Sequence, residues 1–244
     1  MKPYTYFLIL FFTVVICFIA SFHRQIRFHK HFGTFLLSAS IVAVPFIIWD
    51  VWFTREGVWW FDFNYTTGLA FAGLPVEEWL FFYCIPFACV FTYFCLEKFF
   101  NLAAAAAFNN VIAFTGFIVC IMAILLYHGN IYTLVTAAAT LITLLFLHFV
   151  AKKEWLGAAT FTYLILMPGF FMVNGVLTGS GIDSPIVNYD NAEITGNRIL
   201  TIPVEDAVYG YCLFLLNIYF FKLIRKKNIE KSLLYEQGKS SAGK

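Results

Sequence analysis

The sequence predicts an all-α integral membrane protein of seven transmembrane helices. Three observations lead there. Of 244 residues, 61% are hydrophobic and only 12% are charged, whereas a soluble domain carries roughly 25% charged residues. The apolar residues gather into seven runs, each long enough for the roughly 20 helical residues that cross a hydrocarbon core of about 30 Å. Lys and Arg concentrate in alternate loops, as expected of a chain that crosses a membrane repeatedly.

In chain order the runs are Tyr4–Phe22, Gly33–Phe53, Leu74–Leu96, Asn110–Tyr127, Ile131–Val150, Gly157–Leu177 and Ile202–Ile224. Spanning backbone must satisfy its own hydrogen bonds, as helix or closed barrel, and continuous apolar runs of this length exclude the short alternating strands of a barrel. The first run has one Lys ahead of it and a basic cluster behind it, the reverse of a signal peptide, so it is read as helix one. One side of the membrane receives Arg24, Arg27, Lys30, Lys98, Lys152, Lys153 and the basic stretch from Lys222 to Lys231; the other receives only Lys2, Arg55 and Arg198. The expected placement is the cell (inner) membrane with the N-terminus outside and the C-terminus in the cytoplasm. The outer loop Thr54–Gly68 holds Trp59, Trp60, Phe61 and Tyr65, which suit an interfacial aromatic belt. Thr178–Thr201 is the longest loop. Residues 1–227 form one membrane domain, and the polar segment 228–244 is expected to be a disordered cytoplasmic tail.

Several chemistries lack their handles. The six cysteines lie inside apolar runs without C-x-x-C spacing, so neither a disulfide framework nor a zinc site is indicated. The five histidines form no array of metal-ligand spacing, no G-x-G-x-x-G follows a strand, and no D-x-x-x-D pair is present to hold magnesium diphosphate. A net charge of +2 gives no reason to expect nucleic acid. No metal and no cofactor are expected.

The strongest signal is an internal match. Phe61–Cys84 aligns with Tyr189–Cys212 at a constant shift and without a gap. Asp62 meets Asp190, Thr67–Gly68 meets Thr195–Gly196, Pro75–Val76–Glu77 meets Pro203–Val204–Glu205, Glu78 meets Asp206, and Tyr83–Cys84 meets Tyr211–Cys212. Upstream, Pro45 and Asp50 resemble Pro168 and Asn174 with a small change of spacing. Helices one to three (about 4–98) therefore repeat as helices five to seven (about 131–226), and helix four (about 103–127) links them. The shift spans four helices, so the repeat is parallel rather than inverted.

Glu77, Glu78, Glu205 and Asp206 fall in the first turns of helices three and seven, with Pro75 and Pro203 suited to the first helical position. An acid there is in part an ordinary helix start, favoured by the dipole. The pattern nevertheless occurs twice against strongly apolar sequence, where a carboxylate is costly and is a functional candidate. Asp50 and Asn174 belong at the same depth. Carboxylates sharing a low-dielectric site cannot all be charged, so a proton donor beside a base is expected. Phe81, Phe82, Tyr83, Tyr209 and Tyr211 follow the acids at helical spacing; they serve packing, or present ring faces to a cation.

At P-V-E-E in helix three and P-V-E-D in helix seven the sequence resembles the integral-membrane lycopene cyclases, found as heterodimers in some bacteria and as fused chains in archaea, other bacteria and fungi. The resemblance extends from about Tyr4 to Lys226. It implies proton-initiated closure of the ψ ends of lycopene to β-ionone rings, giving γ-carotene and then β-carotene. It implies an intramolecular lyase or isomerase of carotenoid biosynthesis with apolar carotenoids and membrane lipid as its partners, working as a homo-oligomer or beside other carotenoid-pathway enzymes. Carried over residue by residue, it gives Glu77 and Glu205 as central acid/base groups, Glu78 and Asp206 sharing the proton, Asp50 and Asn174 orienting them, and Phe82, Tyr83, Tyr209 and Tyr211 around the substrate. Two other readings compete. A transporter would also use repeats and intramembrane acids. A retinal-binding receptor would need a lysine midway along helix seven, where the sequence has only Lys222 near one end.

Overall fold

The computed structural model describes the backbone of residues 2–242 and the side chains of residues 2–230. Seven long helices carry the fold: α1 Thr5–Ala20, α2 Phe32–Glu56, α3 Val76–Phe99, α4 Asn109–Leu126, α5 Ile131–Leu145, α6 Leu156–Leu177 and α7 Val204–Ala242. All seven segments are long and apolar enough to span a membrane. Phe146–Val150 closes α5 with a π-helical turn, and a four-residue helix, Ala103–Ala106, precedes α4.

Two boundaries differ from expectation. Pro75 caps α3 in extended geometry (φ −63°, ψ 150°) instead of occupying its first turn, and α7 likewise begins after Pro203. Each proline ends a short strand that the sequence pattern did not signal. Segment 228–242, expected to be disordered, continues α7 through Ala242. An already nucleated helix extends cheaply, and Lys226 and Glu230 form an i,i+4 pair at 3.8 Å. Residues 243–244 lie outside the described residues.

The helices pack in a two-fold pattern. α3 and α7 meet at the centre; α1 lies on α3 as α5 lies on α7, and α6 reaches α3 as α2 reaches α7. Thr133, Thr136, Thr140 and Thr143 form a buried stripe on α5 at helical spacing. They let it approach α7 closely, where the Thr143 hydroxyl lies 3.4 Å from Cys212 Sγ.

Six short strands roof the helix ends at one side: β1 Trp59–Phe61, β2 Ala70–Phe71, β3 Leu74–Pro75, β4 Val187–Tyr189, β5 Arg198–Ile199 and β6 Ile202–Pro203. β2/β3 and β5/β6 are equivalent hairpins, one per repeat. β1 and β4 pair antiparallel across the repeats, with Trp60 opposite Asn188. Those two residues are counterparts in the internal repeat, so the pseudo-two-fold axis passes between them.

The repeated residues of this roof do the same work in both halves. Asp62 Oδ1 accepts from the Asn64 N–H at 3.0 Å, and Asp190 Oδ1 from the Ala192 N–H at 2.9 Å. Gly68 and Gly196 both have positive φ (82° and 76°), a conformation that glycine adopts without penalty. The Val76 N–H meets the Leu69 carbonyl at 2.9 Å as the Val204 N–H meets the Asn197 carbonyl at 3.1 Å.

Candidate active site

Beneath the roof lies a cavity of about 700 Å³, bounded mainly by α1, α3, α6 and the start of α7. Its wall follows α3 from Glu78 to Thr92, fifteen residues or about 20 Å of helix. That is a slot for an extended molecule. Most of the lining is apolar. Phe12 of α1 (65% exposed) and Met172 of α6 (74% exposed) both border it, so the chamber reaches the membrane-facing surface between these two helices.

The carboxyl groups gather at the roofed end. Asp50, Glu78 and Asp206 line the chamber and are 2%, 8% and 5% exposed. Glu78 lies within electrostatic reach of both Asp50 and Asp206. No ion pair neutralises any of the three among the described residues. Three carboxyl groups in such a place cannot all be charged.

Their hydrogen bonds distinguish them. Asp206 accepts from two phenols, Tyr132 at Oδ1 (2.7 Å) and Tyr189 at Oδ2 (2.9 Å). Glu78 accepts from Tyr6 at Oε2 (2.5 Å), and its Oε1 has no protein partner among the described residues. Asp50 Oδ1 accepts from the Trp59 indole N–H at 2.7 Å, while Oδ2 has no hydrogen bond of good geometry among the described residues. Donors to a carboxylate favour its charged form, so Asp206 is the group best prepared to hold the negative charge. Burial, followed by the Asp206 carboxylate, holds the Tyr189 phenol well above its ordinary range; Tyr189 therefore remains a donor.

Aromatic rings enclose this end. Trp59 meets Tyr132 edge-on at 5.2 Å, Tyr132 stacks on Tyr189 at 5.9 Å, and Tyr209 lies 6.3 Å from Trp59. Trp59, Phe61, Phe81, Tyr132, Tyr189 and Tyr209 all line the chamber, presenting several ring faces to any cation formed within it.

Glu77 and Glu205, read from the sequence as the central acids, do not line the chamber. Each points back into the roof: Glu77 Oε1 accepts from the Thr67 N–H and Glu205 Oε1 from the Thr195 N–H, both at 2.7 Å. Thr133 adds a second donor to Glu205 at 2.7 Å. One residue of helix is about 100° of rotation, so of two adjacent acids only one can face the chamber. Asn174 does line it and is half-buried. Of the expected aromatics Phe81 and Tyr209 are on the wall. Phe82 packs 6.3 Å from Phe46, Tyr83 lies 3.2 Å from Ser40, and Tyr211 bonds Thr160 at 2.6 Å.

Tyr6, Tyr132, Trp59 and Tyr189 were missed. One signal for the first two was available: Tyr6 and Leu8 align with Tyr132 and Leu134, so the repeat reaches helices one and five, and each tyrosine serves the acid of its own half. Lys222 is not on the chamber wall; it bonds the Tyr93 hydroxyl at 3.1 Å and pairs with Glu97, so it is not placed to form the Schiff base of a retinal protein.

A family model described as lycopene cyclase matches residues 3–96 and matches again over residues 129–224. The two stretches coincide with the two structural repeats and leave out α4. No curated protein and no solved structure matches the chain.

Proposed function

The chain belongs to the lycopene cyclase family, and from that premise we propose that it closes the ψ ends of lycopene to β-ionone rings by acid catalysis at the roofed end of the chamber. The observation that carries this reading is the unequal bonding of three carboxyl groups in one apolar, cation-free space. Glu78 is protonated and gives its proton from Oε1 to C2 of the end group, while Tyr6 donates to Oε2. The positive charge then resides at C1. The C5–C6 double bond attacks C1, closing the ring and moving the charge to C5. Loss of the C6 proton completes a new C5–C6 double bond. One proton enters and one leaves, so there is no net redox change, and the reaction is an isomerisation.

Asp206 is the fixed negative charge, held by Tyr132 and Tyr189, that stabilises the cation and takes the C6 proton. The proton returns to Glu78, which lies within its electrostatic reach. Asp50 keeps its own proton, because an uncompensated buried charge costs far more than a neutral acid. Ring faces complete the stabilisation, since a carbocation in lipid has no other counter-ion. The substrate enters sideways from the bilayer between α1 and α6. The N-terminus and the roof lie outside the cell membrane and the basic loops face the cytoplasm.

The test is chromatography of carotenoids from lycopene-accumulating cells that express the chain. The expected result is conversion of lycopene to γ-carotene and β-carotene, with a colour change from red to orange-yellow. If the protein reaches the membrane and lycopene stays uncyclised, the reading fails; ε rings would overturn its choice of proton.

A further inference from the structure

A second pocket, of about 350 Å³, lies on the side away from the roof, where the α1–α2 connection meets the end of α3 and the middle of α7. Its centre is the Phe94 ring. Lys98 Nζ lies 5.7 Å from the ring centroid, the Arg225 guanidinium 5.0 Å, and the His31 ring 5.3 Å. Arg27 and Lys30 complete the basic wall. Arg27 holds a left-handed backbone (φ 59°), which costs a non-glycine residue about 1 kcal/mol or more.

This concentration of charge is poorly compensated. Among the described residues Glu97 is the one carboxylate on the wall. It pairs with Lys222 and stands 3.7 Å from Arg225. Among the described residues Arg225 Nε is buried with no hydrogen-bond acceptor, and Lys98 Nζ donates only to the Ile26 carbonyl, at 3.0 Å. Arg27 and Lys30 make no side-chain hydrogen bond or ion pair among the described residues. Membrane proteins place cations at one face as a matter of topology, and Arg27, Lys30 and Lys98 are themselves exposed, but Lys98, Arg225 and His31 converge on one ring. A buried guanidinium nitrogen without an acceptor calls for an anion with several oxygens.

We propose that this pocket binds an anionic phosphate ester, the headgroup of an acidic lipid. Guanidinium and ammonium groups match phosphate oxygens, basic pockets between helices suit acidic headgroups, and the apolar Ile26 and Phe94 suit a headgroup that still carries its acyl chains. Such a lipid joins the first repeat, through α3 and the α1–α2 connection, to α7 of the second.

The experiment measures the thermal midpoint of the purified full chain in a neutral detergent, titrated with phosphatidylglycerol, phosphatidylcholine or inorganic phosphate. Phosphatidylglycerol should raise the midpoint saturably and phosphatidylcholine should not. The double variant Arg27→Gln, Lys30→Gln removes two unpartnered cations, and its apparent affinity should fall about tenfold or more. An equal saturable rise with inorganic phosphate would keep the phosphate site and reassign its source to free phosphate. No rise with either anion, or a double variant that responds like wild type, overturns the proposal. Ring closure is read separately and should be unchanged in the double variant.

Discussion

The two repeats share a scaffold and differ in what they enclose. In the first, Pro45–Phe46 and Phe82 occupy the places that Pro168–Gly169 and Gly210 hold in the second. Phe46 and Phe82 are buried against each other, 6.3 Å apart, and fill the space between α2 and α3. Gly169 and Gly210 line the chamber; the space a ring would take at Gly169 is open, whereas beside Gly210 it is taken by the Tyr163 hydroxyl, 2.9 Å from where a Cβ would stand. The acids differ as well. Asp206 has two phenol donors because Tyr189 stands where the first repeat has Phe61, and Asn174 stands where the first repeat has Asp50. The difference shows how a duplicated bundle can acquire one asymmetric site: the roof is kept twice, and a few side chains beneath it diverge.

The comparison breaks most severely at Glu78. The amide of Glu78→Gln still accepts from Tyr6 but has no acidic proton to give. Conversion of lycopene should fall by about 10²- to 10⁴-fold, the usual worth of a positioned general acid, with protein accumulation unchanged. Wild-type conversion by this variant would move the acid elsewhere. Gly169→Phe restores the filled arrangement of the first repeat on the chamber side. A Cβ at this position meets nothing within 4 Å, so the chain should fold while its slot is obstructed. The expected result is loss of most conversion with a normal membrane level; full conversion would show that the chamber is not the substrate's path.

The seven helices, their order and the parallel repeat were legible because hydropathy and self-similarity are properties of the chain itself. The roof strands were not, being two or three residues long and held by pairing between distant segments, as in Trp59 opposite Tyr189. The site was half legible. Buried acids are conspicuous in apolar sequence, but which of two adjacent acids faces inward depends on helix phase, which the motif P-V-E-[ED] does not reveal. The matches that stand out most, Asp62, Thr67–Gly68 and Glu77, repeat because both roofs need the same turns. The chamber residues diverged and left a weaker trace.

A smaller effect is expected at Tyr189→Phe, which gives the second repeat the residue of the first. Asp206 would keep Tyr132 and lose the donor at Oδ2. A hydrogen bond to a charged group is worth about 1.5–3 kcal/mol, so conversion should drop by about 10- to 100-fold, without accumulation of protein outside the membrane. An unchanged rate would mean that Asp206 does not bear the charge.

The smallest effect should come from Glu77→Gln and Glu205→Gln, and it separates scaffold from chemistry. Both side chains are fully or almost fully buried, at 0% and 3% exposure, and both accept a backbone N–H from the roof. A glutamine oxygen can accept the same bond, and its amide nitrogen meets a buried site where, among the described residues, neither Glu77 Oε2 nor Glu205 Oε2 has a partner now. The cost should therefore appear as stability, about 1–3 kcal/mol for an imperfectly satisfied buried polar group, read as a lowered thermal midpoint of the purified protein. Conversion per molecule of folded protein should stay within about threefold of wild type, since a proton donor lost outright costs at least about a hundredfold. A collapse of turnover with an unchanged midpoint in either variant would return the reacting proton to the roof acids and leave Glu78 and Asp206 as their supports.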